Sequence, residues 1–308
     1  MGMALGLRRM TQGTVLFDVG IRGRLSMMLK QKVLLAVGLA AASAAIHARA
    51  EGFAVGVATY TFRQGTAFEA IEKTKACGGD VIEFFLWQPL GAEYPKVILN
   101  QDLSDEHVAA LKAKLAASGV KAVNAYFNNA VFQDKDKAEA HVRKLFEFAR
   151  KLGLRGLTGE PPADQLDLVE KMVKEYDIQL CFHNHPKDPK KPDYRNWDPV
   201  YLLSMMEKRD PRMGFSVDTG HLSRSGVDPV EAVRLFGKRV LSVHLKDVKE
   251  ATKESIDLPY GQGIGNMAGV LAELKKQGFQ GHVAVEYEQV TERLLDDVKF
   301  CLAFIRSH

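Results

Sequence analysis

The sequence predicts an α/β fold, a single (β/α)8 TIM barrel, over residues 51–308. Short β-branched or apolar runs recur eight times, amphipathic segments lie between them, and no linker or low-complexity stretch interrupts the alternation. Eight such units in about 255 residues match the usual size of this barrel. A doubly wound open sheet is the alternative, but it usually has fewer strands and a glycine fingerprint after the first strand, which this sequence lacks.

The strand candidates are short runs such as "FAVGVATY", "DVIEFF" and "LSVHLKD", which are rich in the residues that favour strands. In chain order they cover residues 53–60, 80–85, 121–127, 155–160, 178–185, 214–221, 241–247 and 282–288. The amphipathic segments between and after them predict helices, clearest at 105–119, 136–153, 166–176 and 228–239, with a last helix near 290–306.

Residues 1–50 differ from the rest and predict an N-terminal extension that ends in an export signal at about 28–50. A basic start, an apolar stretch and Ala48-Arg49-Ala50 follow one another, as in a secretory signal. The apolar stretch holds only about 14 residues, short of the roughly 20 that a membrane span needs. We therefore expect an exported protein, periplasmic or secreted, with no stable membrane span after cleavage and with translation starting at Met27 or Met28.

Charge and cysteine content exclude two classes of protein. Residues 1–50 carry seven of the 42 Lys and Arg and one of the 38 Asp and Glu, so the remaining chain has a net charge of −2. The basic surface that nucleic acid requires is therefore not expected. Three scattered cysteines are too few for a disulfide framework or a zinc cluster.

Polar side chains gather at the ends of the last five strand candidates, where the chemistry of such barrels is found. Alternate residues of a strand share a face, so His183 and His185 lie together while Leu180 and Phe182 point the other way, toward the helices. The same rule points these residues into the barrel: Thr158 and Glu160; Ser216 and Asp218; Ser242, His244 and Lys246; Ala284 and Glu286. Singly, each has a plain interpretation, such as a helix cap for Asp218. Together they predict a divalent metal site.

The motifs "GEP", "HNHP", "DTGH", "HLKD" and "VEYE", in this order over roughly residues 53–306, resemble the xylose isomerase-like barrels, also called the sugar phosphate isomerase/epimerase superfamily. The resemblance implies one divalent cation held by Glu, Asp, His and Glu at strand ends. Mixed carboxylate and imidazole ligands suit Mn²⁺, Co²⁺ or Mg²⁺, with Zn²⁺ as a further candidate.

Carried over to this sequence, the resemblance assigns three ligands directly: Asp218, His244 and Glu286. The first ligand departs from the commonest pattern, because the usual Glu of the fifth strand is His183 here. The His-Asn-His form resembles the inosose dehydratase-like branch, in which a Glu ending the fourth strand completes the site. We therefore assign Glu160 as the first ligand, with His183 as its substitute.

The resemblance also implies roles in proton transfer. His185 is the candidate acid or base, and the plain alternative is a structural hydrogen bond to a carboxylate. Lys246 is a candidate for polarising a carbonyl or holding a hydroxyl, and the plain alternative is a solvated side chain. Glu160 and Glu286 count as catalytic as well as metal-binding residues.

Four further residues are candidates for substrate binding. His221, three residues after Asp218, would hold a substrate oxygen, and His183 faces the same pocket. Tyr60 and Trp87 lie at the ends of the first two strands and would stack on a sugar face, although core packing explains them almost as well.

The expected function is a metal-dependent sugar isomerase or epimerase that removes a proton α to a carbonyl. One alternative is a lyase that cleaves 3-keto-glycosides by elimination at the same metal site, and another is a non-catalytic sugar-binding barrel. An endonuclease IV-like enzyme is disfavoured by the net charge of −2. Export argues against a phosphate ester, so we expect an unphosphorylated sugar or keto-sugar as substrate. Whether the protein is a homo-oligomer is left open.

Overall fold

Eight parallel strands close into one barrel in the computed structural model, which describes residues 52–308. The predicted (β/α)8 fold is confirmed. The barrel strands are β1 Ala54–Ala58, β2 Val81–Phe85, β3 Lys121–Tyr126, β4 Gly156–Gly159, β5 Gln179–His183, β6 Met213–Asp218, β7 Val240–Leu245 and β8 His282–Val285. Each strand pairs with its neighbours in chain order, and β1 pairs with β8 to complete the barrel.

The predicted N-terminal extension, its export signal and the expected start at Met27 or Met28 lie outside the described residues. Within residues 52–308, every helix is too short or too polar to cross a membrane.

Nine α-helices accompany the strands in the described part of the chain. They are α1 Ala67–Ala76, α2 Asp105–Ser118, α3 Ala138–Leu152, α4 Leu166–Tyr176, α5 Pro199–Met206, α6 Thr219–Arg224, α7 Pro229–Phe236, α8 Met267–Lys276 and α9 Leu294–Ser307. The helices predicted near 105–119, 136–153, 166–176, 228–239 and 290–306 correspond to α2, α3, α4, α7 and α9.

The local sequence explains where several helices begin. Thr66 and Glu69 form a reciprocal capping box at the start of α1. Asp228 caps α7 and is followed by Pro229 at the first helical position. The sequence predicts a sixth strand that reaches residue 221, but the strand ends at Asp218. The carboxylate of Asp218 accepts a hydrogen bond from the backbone N–H of His221 at 2.7 Å and so starts α6.

Strand register brings the polar strand ends to one level of the barrel. His183 pairs with Ser216, and Asp218 pairs with His244, so β5, β6 and β7 end side by side. His244 in turn pairs with Ala284, two residues before Glu286. Side chains far apart in sequence therefore meet at the carboxyl end of the barrel.

The connection after β7 contains a short antiparallel ribbon, in which Asp247–Val248 pairs with Asp257–Leu258. The glycine-rich stretch "GQGIGN" at 261–266 follows the ribbon and folds around Asp247. The backbone N–H groups of Gly261, Gly263 and Gly265 donate to the Asp247 carboxylate at 2.9–3.0 Å. These glycines therefore bind a carboxylate of the chain itself.

Candidate metal centre

Four buried side chains from four strand ends meet inside the barrel mouth: His183, Asp218, His244 and Glu286, here called the four-residue group. One potential ligand atom from each lies within 4.8 Å of the others. His183 Nε2 is 3.1 Å from His244 Nδ1, and that nitrogen is 3.1 Å from Glu286 Oε2. Two imidazoles and two carboxylates form a donor set that suits a divalent transition metal ion.

The hydrogen bonding of the four-residue group fits a bound cation. Within residues 52–308, neither Asp218 Oδ2 nor Glu286 Oε2 accepts a hydrogen bond, although both atoms are buried. The Lys246 ammonium lies 3.2 Å and 3.4 Å from these oxygens. Buried carboxylate oxygens without hydrogen bonds are costly, and coordination of a divalent cation would satisfy them.

Glu160, the residue assigned as first ligand, lies outside the four-residue group. Its Oε1 accepts hydrogen bonds from Tyr194 Oη and Asn196 Nδ2, both at 2.5 Å, and its Oε2 lies 3.0 Å from His185 Nδ1. Two hydrogen bonds and this ion-pair contact hold Glu160 outside the group, whereas His183, the named substitute, belongs to it. At this one position the structure places the named substitute in the group, and the assignment of Glu160 as first ligand stays a prediction.

Glu160 and His185 instead form a pair at the rim of the barrel mouth, here called the rim pair. Burial raises the pKa of Glu160, but hydrogen bonds from His185, Tyr194 and Asn196 outweigh it and lower the pKa below its usual value. The His185 ring is 37% exposed and stacks on His221 at 5.3 Å. The pair therefore joins an ionised carboxylate to an imidazole that a substrate can reach.

His221 is held in one tautomer by a neighbouring cation. Arg224 Nη1 lies 3.2 Å from His221 Nδ1, and a guanidinium can only donate, so Nδ1 is the acceptor and Nε2 carries the hydrogen. Burial lowers the pKa of His221 well below its usual range, although Asp218 opposes this effect. His221 is therefore a neutral hydrogen-bond donor beside the four-residue group.

Lys246 is completely buried, so the alternative interpretation of its side chain as solvated is wrong. Its Nζ lies 3.0 Å from Glu288 Oε1 in addition to its contacts with Asp218 and Glu286. Burial lowers the pKa of Lys246, but these carboxylates outweigh it and raise the pKa well above the usual value. Lys246 is therefore a fixed positive charge at the barrel mouth, and Glu288 is a partner that sequence reasoning missed.

Glu83 is a second buried carboxylate that sequence reasoning missed. It lies in β2, and its Oε2 is 3.1 Å from His244 Nε2, on the side of that ring away from Glu286. Burial lowers the pKa of His244, but Glu83 and Glu286 raise it to about 10. In "DVIEFF" the alternation of side chains would have placed Glu83 inside the barrel, opposite to Ile82 and Phe84.

A cavity of about 600 Å³ lies over the four-residue group, and the rim pair and His221 line it. Tyr60 and Trp87, the predicted sugar-stacking residues, form one wall together with Phe85 and Tyr126. The rings of Phe85 and Tyr126 stack in parallel, 4.6 Å apart. The cavity therefore combines an aromatic wall with a polar one, as in sites that bind sugars.

The polar wall is largely neutralised by internal ion pairs. Three cationic side chains line the cavity: Lys191, Arg224 and Lys253. Arg224 contacts Asp257 at 2.6 Å and Glu288 at 3.0 Å, and Lys253 contacts Asp188 at 2.9 Å. Two of the three cations are thus occupied by carboxylates of the chain.

Comparison with known proteins agrees with this architecture. The model of one protein family, described as xylose isomerase-like TIM barrel, matches residues 71–304. A crystal structure of an uncharacterised protein from Parabacteroides distasonis is 30% identical, with a TM-score of 0.64, and the match covers 83% of this chain and 98% of that one.

Two relatives with assigned names match over part of their length. The rhizopine catabolism protein MocC of Rhizobium meliloti is 31% identical over 44% of this chain and 45% of that protein. An inosose dehydratase of Clostridium tetani is 27% identical over 41% of this chain and 46% of that enzyme. The matches thus span about half the length of these relatives. The family match covers most of the chain, so the resemblance inferred from the sequence is confirmed, and the protein belongs to the xylose isomerase-like TIM barrel family.

Proposed function

We propose that this protein is a divalent-metal-dependent enzyme that removes a proton α to the carbonyl of an unphosphorylated sugar or keto-sugar. The observation that carries the proposal is the position of the buried four-residue group beneath a cavity that also holds the rim pair. A metal centre beside a proton-transfer pair is the arrangement that this chemistry needs.

In this proposal His183, Asp218, His244 and Glu286 hold the ion. Mn²⁺, Co²⁺ and Mg²⁺ suit the reaction, and Zn²⁺ suits the same ligands. When bound, the ion would supply Lewis acidity that makes the hydrogen α to a substrate carbonyl more acidic.

The rim pair would move the proton. His185 Nδ1 faces Glu160, which leaves the other ring nitrogen available to a substrate in the cavity. Glu160 remains ionised and stabilises the imidazolium that forms when His185 accepts a proton. Tyr194 and Asn196 hold the carboxylate in place from the other side.

Other residues would bind and orient the substrate. His221 Nε2–H is available to donate to a substrate oxygen, and Tyr60 and Trp87 offer aromatic faces to a sugar ring. Lys246 would contribute a fixed positive charge near the metal-binding carboxylates. Because Arg224 and Lys253 are already paired, the cavity favours hydroxyl groups over a phosphate dianion.

A lyase is the second candidate, and the names of the relatives favour it. One matched relative is an inosose dehydratase, and a dehydratase reaction is an elimination. A 3-keto-glycoside would react in the same way, because the 3-ketone acidifies the hydrogen at C2 and permits loss of the C1 substituent. The metal centre and rim pair would serve both reactions.

Exchange of substrate hydrogen with solvent deuterium tests the proposal. The Mn²⁺-loaded protein would be incubated in D₂O with ketoses, inososes and 3-keto-glycosides, with the His185→Asn variant as control. Deuterium at the α carbon of an isomerised product supports the isomerase or epimerase, and release of the C1 substituent supports the lyase. Saturable binding of these sugars without exchange or release would contradict both and favour the sugar-binding barrel.

We also propose that the protein is exported, on the strength of the sequence at 28–50 alone. Sequencing the N-terminus of the protein recovered from a periplasmic or culture fraction tests this proposal. A mature chain that begins near residue 51 supports it, whereas protein found only in the cytoplasm with residues 28–50 attached contradicts it.

A further inference from the structure

We infer that Glu83 is a positioning residue that fixes the orientation and tautomer of His244 and thereby sets the metal affinity of the four-residue group. The inference rests on the proposed function only in assuming that the group binds a divalent ion. Glu83 belongs to β2, which pairs with none of the strands that supply the group, and it is completely buried.

The two ring nitrogens of His244 face different partners. Nδ1 lies 3.1 Å from His183 Nε2 and 3.1 Å from Glu286 Oε2, so it faces the group. Nε2 lies 3.1 Å from Glu83 Oε2. Both nitrogens thus face a carboxylate, at ion-pair distance. A cation in the group would displace the hydrogen of Nδ1, and Glu83, which as an ionised carboxylate can only accept, would keep the remaining hydrogen on Nε2.

The position of Glu83 is itself fixed from a second side. His282 Nε2, from the start of β8, lies 2.9 Å from the same Glu83 oxygen. The pairing of β2 with β3 also shifts by one residue between Ile82 and Glu83. Such irregularities commonly re-aim a side chain near an active site. Glu83 is thus held between two imidazoles, one of which belongs to the group.

A purely structural ion pair is the competing explanation for these contacts. It predicts that loss of Glu83 lowers stability but leaves the His244 tautomer and the metal affinity unchanged. A positioning role predicts a change in both, because partners of this kind orient the ring and tune its affinity for the metal. Glu83 as a direct ligand is disfavoured, because its contact with His244 is on the ring nitrogen that faces away from the group.

The experiment compares Glu83→Gln with the wild-type protein and with His282→Gln, a matched control that leaves the Glu83–His244 contact in place. Calorimetry with Zn²⁺ measures affinity, and ¹⁵N NMR of the Zn²⁺-loaded protein reports the tautomer of His244. We expect Glu83→Gln to bind Zn²⁺ about 10- to 100-fold more weakly and to show a mixture of His244 tautomers instead of the Nε2–H form alone. The effect of His282→Gln on both readouts should be smaller.

Unchanged Zn²⁺ affinity and tautomer in Glu83→Gln would overturn the inference, even if the variant unfolds at a lower temperature. If this variant does not fold, Glu83→Asp is measured instead. Its shorter side chain cannot bring the carboxylate to His244 Nε2, so we expect roughly tenfold weaker Zn²⁺ binding. Unchanged Zn²⁺ binding by Glu83→Asp would overturn the inference. Metal binding is measured apart from turnover. A wild-type protein that binds Zn²⁺ in this Glu83-dependent way but turns over no sugar would contradict the proposed function alone.

Discussion

The four-residue group and the rim pair lie at the same end of the barrel, yet their carboxylates are satisfied in different ways. Asp218 and Glu286 are buried with oxygen atoms that accept no hydrogen bond within residues 52–308. Glu160 is partly exposed, its Oε1 accepts two hydrogen bonds, and its Oε2 makes an ion-pair contact with His185. The carboxylates of Asp218 and Glu286 can therefore accept a cation, whereas hydrogen bonds hold Glu160 outside the group.

This difference shows that residue type alone does not identify a metal ligand. Glu160 and Glu286 are both glutamates just beyond barrel strands that face the cavity. What separates them is the set of neighbours, because Tyr194 and Asn196 hold Glu160 while Lys246 and His244 contact Glu286.

Removal of one charge from the four-residue group should have the largest effect. We expect Asp218→Asn to bind Mn²⁺ more than about 100-fold more weakly, since a ligand contributes more than the partners that orient it. Asparagine also caps helices well, so α6 should remain intact. Calorimetry measures the change, with Asp188→Asn, from the ion pair with Lys253, as control. Equal affinity in the wild-type protein and Asp218→Asn would contradict the metal centre.

The same change in the rim pair should affect turnover and spare the metal. We expect Glu160→Gln to retain Mn²⁺ and to lower kcat by about 100-fold or more, the scale of a lost acid–base group. Metal content and steady-state kinetics measured on one preparation check both parts, with the exposed Glu254→Gln as control. Loss of the metal from Glu160→Gln would identify Glu160 as a metal ligand and contradict separate roles for the four-residue group and the rim pair.

Metal binding should strengthen as the pH rises. Glu83 and Glu286 outweigh the effect of burial and raise the pKa of His244 to about 10, so the metal-free protein carries a proton there that a cation must displace. Burial lowers the pKa of His183, although Asp218 opposes it, so that ring is already neutral. One proton released corresponds to about tenfold tighter apparent binding per pH unit between pH 7 and 9. Affinity independent of pH over this range would contradict the assignment of His244.

The smallest expected effect concerns the substrate. Since two of the three cations that line the cavity are paired with carboxylates, neutral ketoses or keto-glycosides should be better substrates than their phosphate esters. We expect kcat/KM to differ by at least roughly tenfold, or about 1.4 kcal/mol in transition-state binding. Parallel kinetics on one sugar with and without its phosphate check this. A preference for the ester would contradict both the substrate class and the proposed export.

Much of the fold and part of the site followed from local pattern. The alternation of apolar runs and amphipathic segments predicted all eight strands, because burial on a barrel imposes that pattern on the chain. Strand parity pointed Asp218, His244 and Glu286 to one face, and the structure brings all three together. Parity depends only on the two-residue period of a strand, so the sequence is sufficient to establish it.

Tertiary structure decided the rest, because it depends on which distant residues fill each hydrogen-bonding position. Glu160 is separated from the four-residue group by its contacts with Tyr194 and Asn196, more than thirty residues away in a loop whose path the sequence does not predict. Glu83 reaches His244 from β2, which does not pair with β7, so this contact exists only once the sheet has closed. Local sequence pattern is therefore sufficient for the fold and for the candidate donors. Closure of the barrel selects the donors that can bind a cation, because the neighbours and the burial of each donor depend on it.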